Sequence, residues 1–138
     1  MAANTRFATG VHALVLLAAD PSAPQTSEDV ARKLNTNPVV VRRVFALLQG
    51  AGLVRSQKGP NGGSRLARPA KEITLSDIYT ALDGGDVFHG ASFRGTAHAR
   101  LHSTLASTFT EALRALHKEL ARTTLSQLAK KSIKKDKK

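Results

Sequence analysis

Arg42 and Arg43 stand together in the middle of a helical pattern, and four more cations, Arg55, Lys58, Arg65 and Arg68, follow soon after. A guanidinium is a planar fork of donors that fits a phosphate or the O6/N7 edge of a guanine. The chemistry these residue types offer is recognition of a polyanion, not bond making. An isolated arginine pair would more simply be an ordinary solvated helix face. That simpler reading weakens here because a basic, Gly-rich tip, Lys58-Gly59-Pro60-Asn61-Gly62-Gly63, lies just downstream.

The elements that must position these side chains can be read from residues 26 to 67. Thr26 caps a first helix over Ser27–Leu34, and Asp29, three residues on, returns a bond to the cap. Asn35-Thr36-Asn37 is turn chemistry. Pro38 suits a first helical position, where a missing N–H costs nothing. From Pro38 to Gln49, Val41, Val44, Phe45 and Leu48 recur at three and four, a core-facing stripe that leaves Arg42 and Arg43 off the face. Asn37, Val39 and Val40 mark its exposed start. Leu53–Gln57 and Ser64–Ala67 then predict a hairpin around the Gly-rich tip. Two short helices followed by a basic hairpin are the plan of a winged helix-turn-helix, whose second helix enters a major groove by its N-terminal residues.

The runs AGLVRSQKGPNGGSRLARP and EITLSDIYTALDG closely resemble the Rrf-type (Rrf-two) winged-helix transcriptional regulators of bacteria, over roughly residues 5 to 128. That family includes the iron–sulfur cluster regulator and nitric-oxide-responsive repressors. The resemblance implies DNA contacts from the start of the second helix and from the wing's basic residue, which here are Asn37, Val39, Val40, Arg42, Arg43 and Lys58. With the adjoining turn and tip, the expected DNA-binding set is Thr36, Asn37, Val39, Val40, Arg42, Arg43, Lys58, Gly59, Asn61 and Arg65. Arg42 stands where cluster-sensing relatives often carry an acidic or amide residue. Many relatives also hold a cluster with three cysteines before the long helix. This chain has none, so their sensing chemistry does not carry over.

Composition agrees with a polyanion partner. The net charge is +11 over 138 residues, and each cation set on a phosphate releases counterions. Residues 129–138 hold six Lys and one Asp, which places +5 of that excess in the last ten residues and +6 in the rest. The absence of cysteine excludes disulfides and thiolate-held metal. No signal-like start is present, and Val11–Ala19 is too short to span a bilayer, so a cytoplasmic location is the expectation.

Elsewhere, Asn4 or Thr5 starts a helix running to Ala19. Its apolar face is Phe7, Val11, Leu14, Val15 and Ala18, and Leu16 and Leu17, off that stripe, predict burial on more than one side. His12 among them reads as a partly buried, hydrogen-bonded residue. Thr74 and Asp77 cap a helix with Leu75, Ile78, Tyr79 and Leu82 on one face, closed by Gly84-Gly85. Residues 86–96 read as a loop. Leu101, Leu105, Phe109, Ala112, Leu113, Leu116 and Leu120 then mark a helix about 37 Å long, a stripe that predicts contact with its copy in a second subunit, the alternative being a helix folded back on its own domain. Thr123–Leu128 reads as a short capped helix and Lys130–Lys138 as a disordered tail.

Other chemistries find little footing. The Gly-rich tip lacks the GK[ST] ending of a phosphate-binding P-loop. His98 and His102 are spaced for a metal but lack an evident third ligand among His89 and His117. No catalytic constellation is present, and no cofactor is expected. The expected fold is mainly α with a β-hairpin wing: a winged helix-turn-helix over 1–85, a loop over 86–96, a dimerisation helix and short terminal helix over 97–128, and a basic tail over 129–138. The expected function is a sequence-specific, DNA-binding transcriptional repressor acting as a homodimer on a palindromic operator, with double-stranded DNA as partner. The competing readings are a non-specific architectural protein and a protein–protein adaptor.

Overall fold

Four of the helices begin where a side chain replaces a missing backbone partner. The computed structural model describes residues 3–83 and 96–136. After α1 (Ala3–Ala19), the Thr26 hydroxyl accepts from the Asp29 N–H at 3.0 Å and the Asp29 carboxylate accepts from the Thr26 N–H at 3.3 Å. That capping box opens α2 (Ser27–Leu34), which ends in the left-handed Asn35 at φ 55°. Asn37 then caps α3 (Pro38–Gly50). The hairpin β1 (Val54–Gln57) and β2 (Gly63–Leu66) follows, in antiparallel register from Val54↔Leu66 to Gln57↔Gly63. The second strand sits one residue earlier than the sequence predicts. A bond from the Ala67 N–H to the Leu53 carbonyl carries the pairing one step beyond its end.

A 3-10 turn (Ala70–Glu72) leads to α4 (Leu75–Leu82), opened by the Thr74–Asp77 capping box. The expected Gly84-Gly85 stop and the loop over 86–95 lie outside the described residues. Thr96, expected at the end of that loop, begins α5 (Thr96–Leu120). Thr124 and Gln127 cap each other at the start of α6 (Leu125–Asp136).

The last helix corrects the expected tail. Residues 129–136 continue α6 instead of leaving it at Leu128. Leu125 is fully buried and Ala129 nearly so, and α6 packs against α1 and the 3-10 turn. Paired bonds fix its entry: the Leu75 N–H donates to Thr123 O at 3.0 Å and the Leu125 N–H to Ile73 O at 2.8 Å. Lysine is a good helix former, and cations suit a helix C-terminus. A charge run therefore extends the helix once its first turn is anchored.

A single core gathers Ala13, Leu14 and Leu17 of α1 with Val41, Val44 and Leu48 of α3, Ile78 of α4 and Leu125 of α6. The burial expected on more than one side of α1 is found. Leu14 of the main stripe and Leu17 off it are buried, and Phe7, Val11, Val15, Leu16 and Ala18 are half-buried against the core. The reason is that α3, α4, α6 and β2 all lie against α1, so no single stripe describes its burial.

Candidate nucleic-acid interface

The burial of one face of α3 determines what the other presents. Val41, Val44, Phe45 and Leu48 are in the core, and this leaves Arg42 and Arg43 exposed one and two residues after the buried Val41. Val39 is 50% exposed and Val40 half-buried. Thr36, in the turn, is half-buried, with its N–H bonded to Ala31 O at 2.9 Å. Asn37 is exposed, and its side-chain oxygen accepts from the Val39 N–H at 2.8 Å. The amide donors and one oxygen lone pair of Asn37 remain for a partner while the cap holds.

At the wing, Lys58, Gly59 and Asn61 are exposed at the tip, and a bond from the Gly62 N–H to Gly59 O at 2.9 Å closes the turn. Gly59 at φ 113° and Gly63 at φ 149° occupy backbone that other residues rarely adopt. Gly63 is constrained a second time, since a Cβ there would lie 2.7 Å from the backbone of Gln25. That close approach is a strand pairing. The Gln25 N–H donates to Ser64 O at 3.0 Å and the Ser64 N–H to Gln25 O at 2.8 Å, so residue 25 adds a third edge to the hairpin.

Arg65 differs from the expectation of an open DNA-facing cation. Its guanidinium turns to the carbonyl of Ser22 at 2.6 Å, and the side chain is half-buried. It braces the wing against the α1–α2 connection. Arg68 is likewise engaged, with Glu72 O and the Asp77 carboxylate. By contrast, Arg55, Arg42, Arg43 and Lys58 are exposed, and among the described residues no carboxylate pairs with them. Four uncompensated cations thus sit on α3 and the wing.

Two braces were not legible as such in the sequence. Gln25 is 7% exposed and joins three elements. Its amide donates to Leu16 O at 3.0 Å, its oxygen accepts from Lys33 at 2.8 Å, and its backbone pairs with β2. The position after Pro24 gives no sign of this. Ser56 of β1 donates to the Gln49 side chain at 3.0 Å, tying the wing to the last turn of α3. Hydrogen bonds from Thr26, with Arg32 nearby, hold the Asp29 carboxyl below the usual carboxylate range.

The histidines fall elsewhere. His12 is exposed, not partly buried as expected, because α1 turns that position to solvent. His102 is also exposed. His117 is half-buried, its Nδ1 2.8 Å from the Ser76 hydroxyl and its ring edge-on to Tyr79, which stacks edge-on with Phe7. Among the described residues no group of three His, Cys, Asp or Glu is placed to hold a metal. No helix there is long and apolar enough to cross a membrane.

Comparison with known proteins converges on one family. Residues 3–131 match the family model described as Rrf2, iron-dependent transcriptional regulator. YwnA of Bacillus subtilis, named as an HTH-type transcriptional regulator, is 33% identical over 129 residues, covering 91% of this chain and 95% of that protein. YwgB of the same organism, named likewise, is 34% identical over 103 residues, covering 70% and 66%. The solved structure of CymR, the global cysteine regulator of B. subtilis, superposes with a TM-score of 0.70 at 24% identity, covering 91% and 94%, a likeness of fold. The iron of the family's description finds no thiolate in this chain, which has no cysteine. The residues present do not fit a cysteine-held iron–sulfur cluster.

Proposed function

The chain belongs to the Rrf2 family of DNA-binding, winged-helix transcriptional regulators, and from that premise we propose that it is a homodimeric repressor of a palindromic operator. The observation that carries this reading is the exposed set Arg42, Arg43, Arg55 and Lys58 on α3 and the wing, unpaired among the described residues. The start of α3, with Thr36, Asn37, Val39 and Val40, enters the major groove. The tip at Lys58, Gly59 and Asn61 follows the backbone into the adjacent groove. Arg65 acts behind the interface by holding the wing in place.

The dimer reading rests on α5. Leu101 is 57% and Leu105 40% exposed, and Phe109, Leu113, Leu116 and Leu120 are half-buried farther along. A second copy of the helix covers this stripe and sets two reading heads on half-sites about one DNA turn, ~34 Å, or a multiple apart. Repression follows by steric exclusion of polymerase from the occupied operator.

Selection from random duplexes with the full-length protein tests the reading. The expected result is a two-fold symmetric sequence bound far more tightly than random DNA, with two protein chains per duplex in native mass spectrometry. Equal affinity for all duplexes would instead favour an architectural role through the basic surface. Neutralising Lys130 and Lys131, both exposed, separates the contribution of α6 without removing the buried Ala129.

A further inference from the structure

Val39 is an apolar side chain that the fold leaves open at the point where α3 begins. The core takes Val41, Val44, Phe45 and Leu48 from the same helix, at 5% exposure or less, whereas Val39 is at 50%. We propose that Val39 is a specificity-determining residue that reads the 5-methyl group of a thymine in the major groove. The inference rests on the proposed role of α3 as recognition helix and adds the base it selects.

Three observations choose this occupant. First, Arg42 and Arg43 stand three and four positions after Val39, on neighbouring surface of the helix, exposed and, among the described residues, without carboxylate partners. An apolar protein surface closing over the valine would strip water from both guanidinium groups. A DNA groove offers them phosphate oxygens and guanine acceptors beside the thymine methyl. Second, the side chain is preorganised. Pro38 and the Asn37 cap pin the helix start, and a β-branched valine in a helix is held close to one rotamer. Third, the cap disfavours the alternative from Asn37. The adenine-specific pair needs an amide oxygen to accept from N6 as its NH2 donates to N7. That oxygen already accepts from the Val39 N–H, which ties the amide to the helix start and leaves it one lone pair. An A·T pair at this end of the helix is better read from its thymine side.

The helix also sets the spacing. Four residues rise about 6 Å, and base pairs are about 3.4 Å apart. If Arg43 reads a guanine, that base lies within about two pairs of the thymine.

The test uses the operator selected by the full-length protein. Each thymine is replaced singly by deoxyuridine, which removes only the methyl, and affinity is measured for the wild type and for Val39→Ala. Val39 is exposed, so the variant folds, and thermal melting checks it. The expected result is one thymine per half-site whose replacement weakens wild-type binding about fourfold, the effect of one buried carbon, with much less loss in Val39→Ala. An operator whose thymines can all be replaced without effect would overturn the inference, and so would a loss equally large in the variant. Those outcomes leave sequence-specific binding intact. Failure to select any sequence would overturn the inference together with the reading beneath it.

Discussion

Salt titration of Arg43→Ala gives the most direct measure of the reading head. Four cations on α3 and the wing, Arg42, Arg43, Arg55 and Lys58, are exposed and unpaired among the described residues. If each meets one phosphate in each of two subunits, eight contacts give a slope of log affinity against log salt of about −7. Affinity then falls by about four decades between roughly 50 and 200 mM salt. Arg43→Ala removes two of the eight contacts and should bring the slope to about −5. Lys58→Ala should do the same. If Arg43 reads a guanine instead, the loss is about 1–3 kcal/mol and confined to operators carrying that base. Arg65→Ala is the internal control. Its guanidinium is bonded to Ser22 O, so its loss should lower the wing's thermal stability with a smaller change of slope. Fluorescence anisotropy on a labelled operator across a KCl series reads all three. Unchanged affinity and slope in both Arg43→Ala and Lys58→Ala would refute the placement of these cations on DNA.

Other outcomes follow from single contacts. Leu105→Glu puts a charge into the exposed stripe of α5. It should yield monomers in sedimentation velocity, with the winged domain's melting unchanged and operator affinity lower by on the order of a hundredfold, the avidity of two linked heads. A persistent dimer would exclude this face. Gly63→Ala forces a Cβ to 2.7 Å from Gln25, at φ 149°. It should cost about 1–3 kcal/mol in urea unfolding and weaken DNA binding by releasing the wing, and a neutral result would mean the pairing is dispensable. Asp29→Asn bears on pH. The folded carboxyl is held below its ordinary value, so its contribution is present above the unfolded value near 4 and fades as pH falls through the lower folded value. The wild type should melt higher than the variant at about pH 7, and the gap should narrow as pH falls below the unfolded value. A gap independent of pH would show that the charge is not what the cap uses.

Local rules made much of the fold legible. Thr26 with Asp29 and Thr74 with Asp77 fix helix starts from a few residues of sequence, and both boxes form as spelled out. The three-and-four spacing of Val41, Val44, Phe45 and Leu48 picked the buried face of α3, because an amphipathic helix that meets the core on one side repeats its burial with its own turn. On α1 the off-stripe Leu16 and Leu17 signalled burial on more than one side, and α3, α4, α6 and β2 enclose that helix; which elements do so depends on where they lie. Sequence reading failed on α6, where Lys130 and its neighbours read as a solvated tail. The helix is held from outside, by Ile73 and Thr123 through backbone bonds and by the pocket that receives Leu125.

The wing shows why the site was only partly legible. Its glycines and charges are local, and they placed the hairpin. Its orientation is set by residues roughly 40 positions earlier: Gln25 pairs with Ser64, and Ser22 receives Arg65. An isolated two-stranded hairpin is marginal in water, so a wing held only by its own turn would not present Lys58 at a defined height beside α3. With residue 25 as a third edge, and with Ser56 bonded to Gln49 of α3, the wing is tied both to the segment entering α2 and to the helix it accompanies. A polar residue such as Gln25 carries no mark of this in sequence, because its burial is created by a strand that arrives later in the chain. The proposed contact surface is local chemistry, and the distance between its two halves is a tertiary property that Gln25, Gly63 and Arg65 maintain.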